Sequence, residues 1–212
     1  MDASTDELRR AHDDLAEFYA EWLPGMYAQL PVERAVIDLF CTLVLDVGPV
    51  VGDVGCGPGC LTPYLAARGL QPHGVDLSPE MVRVARRDHP GFGFEVADVR
   101  SLPFADASLD GVLGWYSLMY LAPADRPRAF GEIARVVRPG GYLLVGYKQG
   151  DDSPRRGGRA VGVEFDIYWY SPQEVERRVT DAGFGVVFRG GRPAGPGPGE
   201  EQPQGYLVAR RE

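Results

Sequence analysis

Three glycines at alternate positions, Gly55, Gly57 and Gly59 in "GDVGCGPGCLTP", end an apolar run just before a helical pattern. Glycine has no Cβ, so a turn of this kind lets backbone amides come close to a ligand. The unpaired N–H groups at a helix start favour its anionic parts. The spacing is G-x-G-x-G with Cys60 next, which is neither the dinucleotide turn G-x-G-x-x-G/A nor a G-K-[ST] phosphate loop. Taken alone, it predicts either a ligand-facing turn or a plain tight turn. Asp76 ends the next apolar run, 76 − 55 = 21 residues further on. A carboxylate there can accept from both hydroxyls of a ribose; it can also serve as the negative charge for a helix opened by Ser78 and Pro79. Asp98 closes a third run, placed to accept from an adenine amino group or to cap a turn. Cys41, Cys56 and Cys60 form no disulfide framework, and His12, His73 and His89 are scattered, so no metal site is expected.

The elements that must hold these residues follow from hydrophobic periodicity. Ser4-Thr5-Asp6-Glu7 has the form of a capping box, predicting a helix over residues 5–21 that Pro24-Gly25 breaks. A second helix is expected over 31–46, with Val36, Leu39, Phe40, Leu43 and Val44 as its apolar stripe. Strands then alternate with helices: strand 50–54, helix 60–68, strand 71–76, helix to 89, strand 92–98, strand 109–117, a helix closed by Pro139-Gly140-Gly141, and strand 142–147. Such alternation implies βαβ units and a parallel sheet with helices on both faces. A helix over 171–182 precedes "FGVVFRG" and "QGYLVARR", which can only pair as a hairpin. The stretch between them, "GRPAGPGPGEEQPQ", is read as a mobile loop. The fold class is therefore α/β: a Rossmann-like doubly wound sheet, mostly parallel, with an antiparallel C-terminal hairpin.

Composition sets the outer bounds. A chain of 212 residues, 44% hydrophobic and 25% charged, suits one domain with a substantial core. A net charge of −8 argues against nucleic acid. The short basic run "SPRRGGR" is read as a solvated loop. No stretch approaches a membrane span, and the polar, acidic N-terminus is unlike a secretory signal, so a cytoplasmic protein with no membrane partner is expected. The sequence is silent on oligomeric state.

The run "VGDVGCGPG…HGVDLSPEMV…FEVADVRSLPFADASLDGVLGWYSLMYL…RVVRPGGYLLVGY" resembles the class I S-adenosylmethionine-dependent methyltransferases, of the small bacterial single-domain type. The resemblance implies a seven-stranded sheet and S-adenosylmethionine as cofactor. It implies that Asp53, Gly55, Cys56, Gly57 and Gly59 line the methionine moiety and that Asp76 holds the ribose. Leu77 and Met81 would lie near the adenine, with Asp98 and Val99 at its edge. Trp115 and Tyr116 would lie near the sulfonium and the acceptor. Tyr19 is expected either to close over the methionine carboxylate or simply to pack on an apolar face. Residues 1–212 form a single methyltransferase domain on this reading: a helical cap 1–48, a cofactor-binding core 49–147, an acceptor-side insert or lid 148–170, and a C-terminal helix and hairpin 171–212.

Methyl transfer needs alignment more than acid–base chemistry, and relatives often carry a histidine just after the fourth strand. Here "WYSLMYL" places Met119 and Tyr120 there, and no histidine is expected near the acceptor. Tyr120, Tyr147 and Asp166, with Lys148, are the remaining base candidates. The acceptor pocket is expected from the N-terminal segment and the insert, with Trp22, Tyr120, Tyr168 and Trp169 as candidate contacts. The rings of "FDIYWYS" (Phe165, Tyr168, Trp169, Tyr170) would line it for a flat small molecule, or only plug the end of the domain. Two alternatives stay open: a non-catalytic S-adenosylmethionine-binding protein and an NAD-dependent oxidoreductase.

Overall fold

The computed structural model describes residues 3–27, 30–195 and 201–212. Seven strands form one sheet in the order β3-β2-β1-β4-β5-β9-β8. These are β1 (Val50–Val54), β2 (Gln71–Asp76), β3 (Gly93–Val96), β4 (Leu109–Trp115), β5 (Val137–Lys148), β8 (Phe184–Arg192) and β9 (Gln204–Arg211). The first five run parallel, and β9 is antiparallel to both β5 and β8. β4, at the centre, is buried along all seven residues, as a strand covered on both faces must be. One face packs on α2 (Pro31–Leu45) and α3 (Thr62–Ala66), through Val36, Ile37, Phe40, Val44 and Leu65. The other packs on α5 (Arg126–Val136) and α6 (Pro172–Asp181), through Phe130, Ile133, Val175 and Val179.

Several elements differ from the sequence-based expectation. Helix α1 (Ala3–Tyr27) starts ahead of the expected capping box and continues through Pro24 and Gly25. A proline this near a helix end forfeits one backbone bond, and the final turn still winds. In α2, Ile37 and Cys41 are buried and Leu39 and Leu43 only half-buried, so the apolar stripe is rotated from the expected one. α3 is shorter than expected because successive turns (Gly59 N to Cys56 O, Thr62 N to Gly59 O) occupy its start. Pro139-Gly140-Gly141 does not close a helix. It sits inside β5, where the pairing with β4 skips between Leu109 and Gly111 and Gly140 has φ +86°.

Within the insert, β6 (Pro154–Gly157) and β7 (Phe165–Tyr168) pair antiparallel. Within the expected loop, β8 extends to Arg192 and Gln202 is buried. Its residues 196–200 lie outside the described ones. Helix α1 is anchored to α4 (Pro79–Asp88): Asp13 accepts from the Ser78 hydroxyl at 2.6 Å, and Glu17 pairs with Arg83 and Arg87, both at 2.7 Å. No helix among the described residues is long and apolar enough to cross a membrane.

Candidate active site

The three turn glycines all have positive φ, at +74°, +54° and +80°, and each serves a different purpose. A Cβ on Gly55 would lie 2.2 Å from Ser117 Cβ, and Ser117 is pinned because its hydroxyl donates to Val54 O at 2.6 Å. A Cβ on Gly59 would lie 2.9 Å from the Phe94 ring, so this glycine admits the packing of β3 and does not face the cavity. A Cβ on Gly57 would meet only Met81 Sδ, 4.0 Å away. Gly57 therefore faces space that no protein atom fills.

Asp76 ties the turn to the next helix. Its Oδ2 accepts from Gly57 N at 2.8 Å and its Oδ1 from Ser78 N at 2.9 Å. Burial pushes its carboxyl above the ordinary range, against these N–H bonds and His12. Asp53 lies beneath the turn and off the cavity wall, 2% exposed, with the Thr62 hydroxyl donating to it at 3.5 Å. Burial, then the neighbouring Asp76 carboxylate, pushes Asp53 up to about 7. Burial also pushes the Cys56 thiol well up, so it stays protonated. Asp98 accepts from Arg100 through both oxygens. Burial opposes its ionisation, but the Arg100 bonds win and hold its carboxyl below the usual range.

These groups border a cavity of about 1060 Å³. That is at the upper end of small-molecule pockets, roughly 300–1,000 Å³, with room for two ligands side by side. One end is walled by Gly55, Cys56, Gly57, Asp76, Leu77 and Met81, continuing to Asp98 and Val99. The far end is walled by Tyr19, Trp22, Trp115, Tyr116, Tyr120 and Trp169. The cavity thus brings together most of the residues expected of the site.

Five expected residues are elsewhere. Besides Asp53 and Gly59, three candidates near the acceptor are displaced by strand alternation. Phe165 and Ile167 of β7 line the cavity, so Asp166 and Tyr168 point away. Asp166 pairs with Arg156 at 3.0 Å, and Tyr168 packs in the core beneath the Arg126 guanidinium. Lys148 lines the cavity, whereas Tyr147 is 4% exposed in the core, its ring filling the space where Gly205 lacks a Cβ. Burial raises the Tyr147 phenol to about 12.

The structure also brings in a histidine that the sequence reading left out. His12 is on the cavity wall, its ring edge-on to Tyr120 with centroids 4.8 Å apart. Its Nδ1 lies 2.9 Å from Leu8 O; a carbonyl only accepts, so Nδ1 carries the proton. Burial lowers its pKa against the pull of Asp76, which keeps the ring neutral. The signal was present: Leu8, His12 and Tyr19 share one face of α1 at helical spacing. Glu33 and Tyr206, joined behind the wall, and Arg192, which lines the cavity and pairs with Glu33, left no such local signal.

An open parallel sheet extended by an antiparallel hairpin, with an acid-anchored glycine turn at its carboxyl edge, is a Rossmann-like arrangement. Residues 52–145 match the family model described as "Methyltransferase domain". Over this span the chain is similar to the class I S-adenosylmethionine-dependent methyltransferases.

It is 38% identical over 97 residues to a malonyl-[acyl-carrier protein] O-methyltransferase of Erwinia billingiae, covering 46% of this chain and 38% of that one. It is 34% identical over 151 residues to the O-methyltransferase cnsE of Penicillium expansum, covering 66% and 53%. The chain thus spans about half the length of the curated relatives it matches, or less. In fold it is similar to the crystal structure of an S-adenosylmethionine-dependent methyltransferase from Methanosarcina mazei, with a TM-score of 0.66 and 22% identity over 76% of this chain and 91% of that one. The residues present fit the family's cofactor: the space before Gly57 is a cradle that a Cβ would obstruct, and the aromatic wall suits a cation.

Proposed function

We propose that this chain transfers a methyl group from S-adenosylmethionine to a small-molecule acceptor, chiefly by alignment and exclusion of water. The observation that carries this is the open space before Gly57, beside the Asp76 carboxylate and continuous with an aromatic chamber. S-adenosylmethionine supplies a methyl group already activated on a sulfonium. Asp76 accepts from the ribose hydroxyls, Leu77, Met81 and Val99 enclose the adenine, and Gly55 to Gly57 carry the methionine end. Asp98, already accepting from Arg100, would accept from an adenine amino group through its remaining lone pair. Tyr19, Trp115 and Tyr116 offer ring faces or hydroxyls where positive charge and the methionine carboxylate lie. Such faces contribute about 0.5–2 kcal/mol each to holding a cation. Alignment alone can supply effective molarities of ~10⁵–10⁸ M.

Residues 1–48 would act as the cap, 49–147 as the cofactor core, 148–170 as the acceptor-side wall and 171–212 as the closing helix and hairpin. The acidic net charge and the concave, largely apolar cavity favour a small molecule over nucleic acid. The three free cysteines favour the cytoplasm.

Titration calorimetry with S-adenosylhomocysteine, on the wild type and the Asp76→Ala variant, tests the assignment, with NAD as the competing ligand. Binding of S-adenosylhomocysteine in the micromolar range, weakened about 10-fold or more by the substitution and absent for NAD, is expected. NAD binding in its place would overturn the assignment.

A further inference from the structure

Behind the far wall of the cavity, a chain of polar groups runs inward that alignment alone does not require. Tyr116 is on the wall, just past the end of β4. Behind it, Tyr206 is in β9 and Glu33 in the first turn of α2, while Arg192, at the end of β8, lines the cavity itself. The Tyr206 hydroxyl donates to Glu33 Oε1 at 2.6 Å. With its proton directed there, Tyr206 can only accept from the Tyr116 hydroxyl, 3.4 Å away. All donors therefore point from the cavity toward the carboxylate. Arg192 Nε also donates to Oε1, while Oε2 of Glu33 is buried with no hydrogen-bond partner among the described residues. Glu33 and Tyr206 are each 1% exposed. A buried carboxylate oxygen left unpaired calls for an explanation beyond packing.

Tyr116 itself is held in an unusual pose. Its φ is +54°, in the left-handed region that residues with a side chain seldom occupy, and its N–H is tied to Gly146 O at 2.9 Å. Strained backbone of this kind clusters at functional sites. The ring is edge-on to Trp115, which stacks on Tyr206 with centroids 5.6 Å apart. The three rings thus fix the order hydroxyl, hydroxyl, carboxylate.

We propose that Tyr116, Tyr206 and Glu33 form a proton relay that deprotonates a hydroxyl-bearing acceptor as it is methylated. The relay rests on the methyl-transfer reading above and adds an acceptor class to it: a neutral phenol or alcohol. The acceptor oxygen forms a bond to the methyl carbon while the carbon–sulfur bond leaves its electron pair on sulfur. The hydroxyl proton passes to the Tyr116 oxygen, the Tyr116 proton to Tyr206, and the Tyr206 proton to the Glu33 carboxylate. Reversal of the relay returns the proton to the cavity when product leaves. Burial raises both phenols, so the proton is not withdrawn to form a standing tyrosinate but moves through to Glu33. The 3.4 Å gap is the kind of long contact that tightens only when ligands bind. In this scheme Tyr116 touches the acceptor, and Tyr206 and Glu33 act through it.

The test uses Tyr206→Phe, which keeps the stack on Trp115, and Glu33→Gln. Calorimetry with S-adenosylhomocysteine first reports whether each variant keeps its fold and cofactor site. The absorbance of 4-nitrophenol, whose ionised form is coloured, then reads the protonation of a phenol bound to the S-adenosylhomocysteine-loaded protein without turnover. Finally, turnover is followed as S-adenosylhomocysteine release with phenols of graded acidity. Near wild-type S-adenosylhomocysteine binding in both variants is expected, with the bound probe ionising at lower pH in the wild type than in Tyr206→Phe. Turnover of weakly acidic phenols should fall about 100-fold or more, with smaller losses for acidic phenols that need no base. Equal losses across the series, or identical probe ionisation in wild type and variant, would overturn the relay. So would an S-adenosylhomocysteine-loaded wild type that neither binds nor methylates any phenol. Failure of the wild type to bind S-adenosylhomocysteine would instead overturn the methyl-transfer reading itself.

Discussion

Replacing Gly55 or Gly57 by alanine separates what the turn does for the chain from what it does for a ligand. Both positions have positive φ, which costs a residue with a side chain about 1–2 kcal/mol. At Gly55 the added Cβ also lands 2.2 Å from Ser117 Cβ, and Ser117 is held by its bond to Val54 O. Overpacking of this kind costs about 1–3 kcal/mol more. Gly55→Ala should therefore lose about 2–5 kcal/mol, and at ~2–4 °C per kcal/mol for a chain of this size its Tm should fall by about 4–20 °C. At Gly57 the nearest atom is 4.0 Å away, so only the backbone strain remains and Tm should fall by about 2–8 °C. The same methyl group, however, projects into the space assigned to the cofactor. A steric loss of about 1–3 kcal/mol there is a fall of roughly 5- to 150-fold in affinity for S-adenosylhomocysteine. Differential scanning fluorimetry and calorimetry on the two variants give both numbers. If Gly57→Ala bound S-adenosylhomocysteine as well as the wild type does, the cradle would be misplaced. If Gly55→Ala melted with the wild type, the packing argument would fail.

Other perturbations have equally definite outcomes. Asp53 is raised in the fold from 3.8 to about 7, so the folded chain binds more protons than the unfolded one between those values. Stability from this group is complete below pH ~4 and declines as pH rises through ~7, by roughly 4 kcal/mol for a shift of this size. Asp53→Asn should flatten that slope in urea titrations at pH 5 and pH 8; an unchanged slope would mean Asp53 is not the group responsible. Glu174→Ala would leave Arg126, whose side chain is 2% exposed, with only its longer 3.9 Å pair to Asp152 in place of the 3.0 Å pair with Glu174. Breaking a buried pair costs up to about 3–5 kcal/mol, and a loss below ~1 kcal/mol in urea melts would show that Asp152 or Tyr170 compensates.

The sequence by itself determined the strand–helix alternation from Val50 onward, the glycine turn, the acid ending β2 and the antiparallel closing hairpin. Each of these is a local pattern: apolar period, turn chemistry or a cap such as Ser78, which accepts from Met81 N as its sequence predicts. The turn glycines, Asp76 and Asp98 could therefore be singled out from spacing, whereas the other cofactor-side expectations came with the family resemblance. The acceptor side was less legible, because membership there depends on which way a strand faces. Asp166 and Tyr168 point away from the cavity while Phe165 and Ile167 enter it, and a one-residue shift in phase reverses both. The short β6–β7 pair that sets this phase is flanked by glycines and carries a weak pattern. His12 joins the wall only because α1 docks on α4 through Asp13 and Ser78, 65 positions apart. Glu33, Tyr206 and Arg192 are further separated still: Glu33 lies 173 positions from Tyr206 and 159 from Arg192. No local periodicity brings these three together; α2 must pack on the sheet and the C-terminal hairpin must close it. The sequence thus marked the turn at which backbone could meet a ligand, while tertiary packing decided that Glu33 and Tyr206 stand together behind the aromatic wall, since a buried network depends on contacts that no short stretch of chain encodes.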